Sequence, residues 1–202
     1  DRAIDLNPRD ASTYMNRGVA RKEHGDLTGA IADYDRSIEI DPRNDDAYSN
    51  RGNARMEQGD LAGAVADFDR AIEIDPRGDT AAYTNRGNAR RKQGDPAGAT
   101  ADYNRAIEID PRNDAAYANR GALRRAQGDL AGAIADHDRS IELDPRTIEP
   151  YVNRGMMKRR QGDLPGALLD FETALQIAPE DWPFQQRVEQ TIEEVRQALS
   201  DR

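Results

Sequence analysis

Residues 45–78 read DDAYSNRGNARMEQGDLAGAVADFDRAIEIDPRG, and the rest of the 202-residue chain restates them with small edits. The phrase Tyr-x-Asn-Arg-Gly recurs at Tyr14, Tyr48, Tyr83, Tyr117 and Tyr151, in steps of 34, 35, 34 and 34 residues. A fixed period of this length marks a stacked-repeat architecture. The single step of 35 comes from one extra residue near Asp79, between units, where an insertion does least harm.

Each unit reads as two helices joined by a tight turn. In residues 45–78 the first helix is predicted from about Ala47 to Gln58, ended by Gly59 in the left-handed conformation. Asp60 then supplies an N-cap oxygen to a second helix, which runs to about Asp75 and is stopped by Pro76. The Gly-Asp pair returns at Gly25-Asp26, Gly94-Asp95, Gly128-Asp129 and Gly162-Asp163, and the proline at Pro42, Pro111, Pro145 and Pro179. Pro96 follows Asp95 directly, a first-turn position that tolerates proline because its N–H has no intrahelical partner.

Composition agrees with an array rather than a globule. Charged residues make up 33% and the apolar set 37%, so each unit has a thin core and must bury it against a neighbour. The net charge of −9 argues against an electrostatic nucleic-acid binder. There is no cysteine, which rules out a disulfide framework and Cys-based zinc or nucleophile chemistry, and fits a reducing, cytoplasmic compartment. No apolar run approaches membrane-spanning length.

The small Gly52, Ala64 and Ala71, the aromatic Tyr48 and Phe68, and Pro76, with equivalents in every unit, resemble the pattern of the tetratricopeptide repeat (TPR) family over nearly the whole chain. The small residues let the two helices of a pair approach while Phe68 fills the space beside them. The resemblance implies an all-α fold, an α-solenoid winding as a right-handed superhelix, with first helices on the concave face. The expected organisation is the end of a truncated repeat at 1–10, repeats at 11–44, 45–78, 79–113, 114–147 and 148–181, and a C-terminal capping helix at 182–202.

Residues 1–10 match residues 69–78 in pattern, so the chain is expected to open partway through a helix, as a fragment of a longer protein. A degenerate natural start is the alternative. After Pro179, Asp181 is expected to cap a last helix in which Phe184, Val188, Ile192, Val195 and Leu199 form one apolar stripe. One face on the last repeat and one in water is what an end-cap needs, with Trp182 anchoring the joint. A partner-binding amphipathic helix is the other reading.

The groove side of the first helices carries Asn16, Asn50, Asn85, Asn119 and Asn153, with Asn53 and Asn88 beside them. Asparagine is a poor helix former, and its amide can both donate to and accept from the backbone of an extended peptide. Packed helices lie roughly 8–10 Å apart and an extended chain rises about 3.3 Å per residue, so successive amides would meet about every third ligand residue. This resembles the asparagine ladder in the TPR arm of O-linked N-acetylglucosamine transferase. The alternatives are copying by duplication, or amides bonded only to neighbouring helices. A carboxylate clamp of the chaperone-cofactor kind needs a lysine before each asparagine, where this chain has Met15, Ser49, Thr84, Ala118 and Val152.

First helices end in basic residues, of which Arg91, Lys92, Arg125, Arg159 and Arg160 are expected at the groove rim, suited to an acidic or phosphorylated ligand. Opposition to the helix dipole accounts for part of this placement. RNA is disfavoured because no aromatic residues are interleaved for stacking. Arg17, Arg51, Arg86, Arg120 and Arg154 stand where the family usually has a core leucine, and must be paired to be tolerated. Asp33, Asp67, Asp102, Asp136 and Asp170 are the candidate partners. His137 replaces the aromatic of Tyr34, Phe68, Tyr103 and Phe171 and reads as a packing residue. Gly29, Gly63, Gly98, Gly132 and Gly166, in the first turn of each second helix, have no account from sequence.

The chain is therefore read as a non-enzymatic scaffold for protein–protein interaction, with no metal or cofactor. Its ligand is an extended protein or peptide segment held in the concave groove, acidic in the version that the rim cations favour, with neither membrane nor nucleic acid as partner. The rival readings are a self-associating spacer that stacks end to end as a homo-oligomer, and the substrate-selecting arm of a larger enzyme.

Overall fold

The structure, a computed structural model, describes residues 7–78 and 80–201, which form eleven helices and no strand. In chain order these are α1 (Ala11–Glu23), α2 (Leu27–Ile40), α3 (Asp45–Gln58), α4 (Leu61–Ile74), α5 (Thr80–Gln93) and α6 (Pro96–Ile109), followed by α7 (Asp114–Gln127), α8 (Leu130–Leu143), α9 (Ile148–Gln161), α10 (Leu164–Ile177) and α11 (Gln185–Ser200). Consecutive helices pair as hairpins from α1–α2 to α9–α10, the architecture of a helix-turn-helix α-solenoid. The chain divides into two compact units, Asp1–Asp110 with α1–α6 and Pro111–Arg202 with α7–α11. The expectation that the chain opens inside a helix concerns residues 1–6, which lie outside the described residues.

The turn inside each hairpin is built by its Gly-Asp pair. Gly59 sits at φ 88°, a left-handed conformation that costs glycine nothing. This lets the Asp60 N–H reach back to the Arg55 carbonyl at 2.9 Å, closing the helix end. The Asp60 carboxylate then accepts from the Gly63 N–H at 2.9 Å and starts α4. This accounts for the glycines that sequence left unexplained: a Cβ at Gly63 would lie 2.1 Å from Asp60 Oδ2, in the space the cap carboxylate fills. At the far end, the proline that follows pushes Asp75 to φ −129°, outside the helical region.

Close packing within a hairpin rests on a glycine facing a ring. A Cβ at Gly52 would lie 2.9 Å from Cε1 of Phe68, whose side chain is fully buried. Gly121 meets His137 in the same way, and His137 is likewise fully buried. In the second unit a further cluster joins Leu164, Ala167 and Phe171 of α10 to Val188, Ile192 and Val195 of α11, with Trp182 packed against its edge. One detail departs from expectation. The last helix starts at Gln185 without a side-chain cap, because Pro183 keeps Trp182 out of the helical region and a turn from Pro179 to Gln185 intervenes. Phe184 consequently leaves the apolar stripe and stands 56% exposed.

Candidate functional site

The orientation of each first helix is fixed by a buried ion network. Arg51 on α3 donates from Nε and Nη2 to the two carboxylate oxygens of Asp67 on α4, at 3.0 and 2.6 Å. Asp67 is 3% exposed and also accepts from Arg55 Nη1 at 2.8 Å. The third nitrogen of Arg51 reaches Asp35 on α2, in the preceding hairpin. Burial works against the charge of Arg51, but its bonds to Asp67 and Asp35 outweigh it and hold the pKa above the ordinary value. The ring of Tyr48 lies 5.4 Å from the guanidinium carbon, a cation–π contact.

The same fork joins Arg17 to Asp33, Arg86 to Asp102, Arg120 to Asp136 and Arg154 to Asp170. Arg86 and Arg154 also reach back to Asp69 and Asp138. The predicted aspartate partners are thus in place. The bond to the preceding hairpin, and the second cation on each buried aspartate, were not foreseen.

With the arginines turned inward, the asparagines one residue earlier face away from the network. Asn16 is exposed, and Asn50, Asn119 and Asn153 are half-buried; none of these four amides has a hydrogen-bond partner among the described residues. The other three predicted amides are engaged. Asn85 Nδ2 donates to Asn53 Oδ1 at 3.0 Å, a rung between α3 and α5, and Asn88 Oδ1 accepts from the Tyr103 hydroxyl at 2.8 Å. The difference follows from one atom: Phe68, the equivalent of Tyr103, has no hydroxyl, so Asn53 keeps its oxygen for Asn85. Each engaged amide retains capacity for a further partner.

Arg91, Lys92 and Arg160 are exposed and Arg125 is half-buried, and none of them forms an ion pair among the described residues. Arg159 is paired, its Nη2 lying 2.9 Å from Glu194 on α11. In the second unit a pocket of about 470 Å³ brings Asn153, Arg125 and Arg159 together. Its apolar lining includes Val152, Met156, Trp182 and Phe184, which sequence reasoning did not assign to a site. The available signal was the aromatic pair around Pro183, outside any repeat. No group of three or more His, Asp or Glu side chains able to hold a metal lies among the described residues, and no helix there is long and apolar enough to cross a membrane.

Family models place this arrangement. Residues 20–59 match a model described as TPR repeat, and residues 45–77, 80–113 and 102–135 match models described as tetratricopeptide repeat. The chain belongs to the tetratricopeptide repeat family, and is a helical repeat protein.

Among solved structures it is similar to YrrB, described as a TPR protein with an unusual peptide-binding site, at 24% identity over 89% of this chain and 92% of that one, with a TM-score of 0.65. It is also similar to TTC0263, a thermophilic TPR protein in Thermus thermophilus, at 19% identity over 89% and 97% of the two chains, with a TM-score of 0.73. Yeast Tom70 matches at 19% identity over 99% of this chain and 42% of its own, with a TM-score of 0.83. No curated protein matches the chain.

Proposed function

We propose that the chain holds an extended, acidic segment of a partner protein along the exposed side of its first helices. Side-chain amides grip the ligand backbone, and the cations at the helix ends pair with its carboxylates. The observation that carries this reading is the state of Asn16, Asn50, Asn119 and Asn153: accessible to solvent and unbonded among the described residues. An amide kept only for internal bonding would be buried and satisfied. Arg91, Lys92, Arg125 and Arg160, which form no ion pair among the described residues, select for negative charge in the ligand of a chain whose net charge is −9.

Panning a phage-displayed library of random nonapeptides against the full chain tests this. The enriched peptides are expected to be rich in Asp and Glu. Their affinity should fall about tenfold or more between about 0.1 M and about 1 M salt, as the screening length drops from roughly 10 Å to roughly 3 Å. The double substitution Arg91→Glu, Lys92→Glu should weaken peptides that contact the first unit. Enrichment of basic or uncharged peptides, with affinity indifferent to salt, would remove the acidic-ligand reading.

A further inference from the structure

The segment that follows the last repeat does more than cover it. A cap needs its apolar residues on the repeat and polar ones in water. Val188, Ile192 and Val195 meet that need. Phe184 does not: it is 56% exposed, and its ring stands edge-on to Trp182, with centroids 5.9 Å apart at 68°. The two rings, in the turn before α11, line the pocket together with Val152 and Met156 of α9. At about 470 Å³ it falls within the range of sites that take small ligands.

The polar lining is equally specific. Arg125, Arg159 and Arg187 line the pocket with Glu149, and although Arg159 is paired with Glu194 the local balance stays positive on a chain of net charge −9. Arg125 and Arg187 have no ion-pair partner among the described residues, in contrast to Arg120 and Arg154, which fork onto buried aspartates. Arg125 Nε is moreover buried with no hydrogen-bond acceptor among the described residues. The outer nitrogens of an unpaired guanidinium remain able to fork onto an incoming carboxylate. Asn153, on the same wall, offers an amide to the backbone of whatever enters.

We propose that this pocket is the specificity site of the scaffold: it receives one large apolar or aromatic side chain of the partner's extended segment, flanked by a carboxylate that pairs with Arg125 or Arg187. The proposal rests on the peptide-binding reading and adds to it the identity of one ligand position. Rings suit the site because Trp182 and Phe184 both line it and aromatic contacts add attraction beyond the area they bury, and the adjacent acid is dictated by the unpaired guanidiniums.

Trp182 is the chain's only tryptophan, so its emission reports on the pocket directly. The test titrates the full chain with three synthetic nonapeptides: Ser-Gly-Glu-Asp-Phe-Glu-Ser-Gly-Ser, the same peptide with Ala for Phe, and the same peptide with Gln and Asn for its acids. The first is expected to shift Trp182 emission. Either replacement should weaken binding about tenfold or more. Phe184→Ala and Arg187→Glu, both at exposed positions, should weaken the first peptide by a similar factor while leaving the circular-dichroism melting curve unchanged.

Should the Ala peptide bind as well as the Phe peptide, or both variants bind like the native chain, the pocket proposal is overturned while acidic-peptide binding stands. Should none of the three peptides, nor any library peptide, bind the native chain, both readings fall. An emission shift that tracks protein concentration without peptide would make a second copy of the chain the occupant, and so overturn the proposal.

Discussion

Asp67→Ala is expected to lower the stability of the chain by about 3–5 kcal/mol, because it removes the buried carboxylate that two arginines share. Asp67 accepts three hydrogen bonds, two from Arg51 and one from Arg55, and is 3% exposed. Its removal leaves Arg51 facing a desolvated space, with Asp35 as its remaining carboxylate among the described residues. The triple substitution Arg51→Leu, Arg55→Leu, Asp67→Ala should recover most of the loss, since replacing the buried charges together is often neutral or stabilising and Asp35, half exposed, stays solvated. Urea unfolding of the three proteins measures both numbers. A loss below about 1 kcal/mol for the single substitution would put the network on the footing of a surface pair.

The second large effect is one of pH. His137 occupies the place of a ring in every other hairpin, fully buried, with neither ring nitrogen hydrogen-bonded. Burial pushes its pKa down from 6.5 to about 4; the nearby Asp136 acts to raise it, and Arg125 and Arg154 act with burial. Between these values the unfolded chain binds a proton that the folded chain refuses. Stability is therefore lost as pH falls through that window, by about 3 kcal/mol in all, and is fully present above it.

His137→Phe should abolish this component. It should also be more stable at neutral pH, since the same site accepts Phe68 and Phe171 in other hairpins and two unpaired nitrogens disappear. The measurement is the difference in unfolding free energy between native chain and variant, at pH 7 and near pH 4, in which the titration of other groups cancels. A difference that does not change with pH would contradict the assignment.

Much of this was legible from residue type alone. A charged residue at a core-facing position demands a partner, and that demand placed Arg51 against Asp67 correctly. The link between hairpins was hidden in plain view. Asp67 and Asp69 project to different sides of α4, which argues against a paired-carboxylate site but serves two masters: Asp67 binds Arg51 of its own hairpin, and Asp69 binds Arg86 of the next. The engagement of Asn88 turned on the single hydroxyl that separates Tyr103 from Phe68. The pocket was not legible because helical periodicity enrolled Phe184 in the apolar stripe, and only the turn imposed around Pro183 removes it. Spacing alone does not say where a helix begins, and here one turn of difference converts a core residue into an exposed ring.

The central claim is that free side-chain amides receive the ligand. It is tested most directly by following the asparagine side-chain NH2 signals in a nitrogen–proton correlation spectrum during titration with an acidic peptide selected from the library. The signals of Asn16, Asn50, Asn119 and Asn153 are predicted to shift in proportion to occupancy, in whichever unit the peptide engages. Saturation of binding with all four signals unmoved would contradict the account.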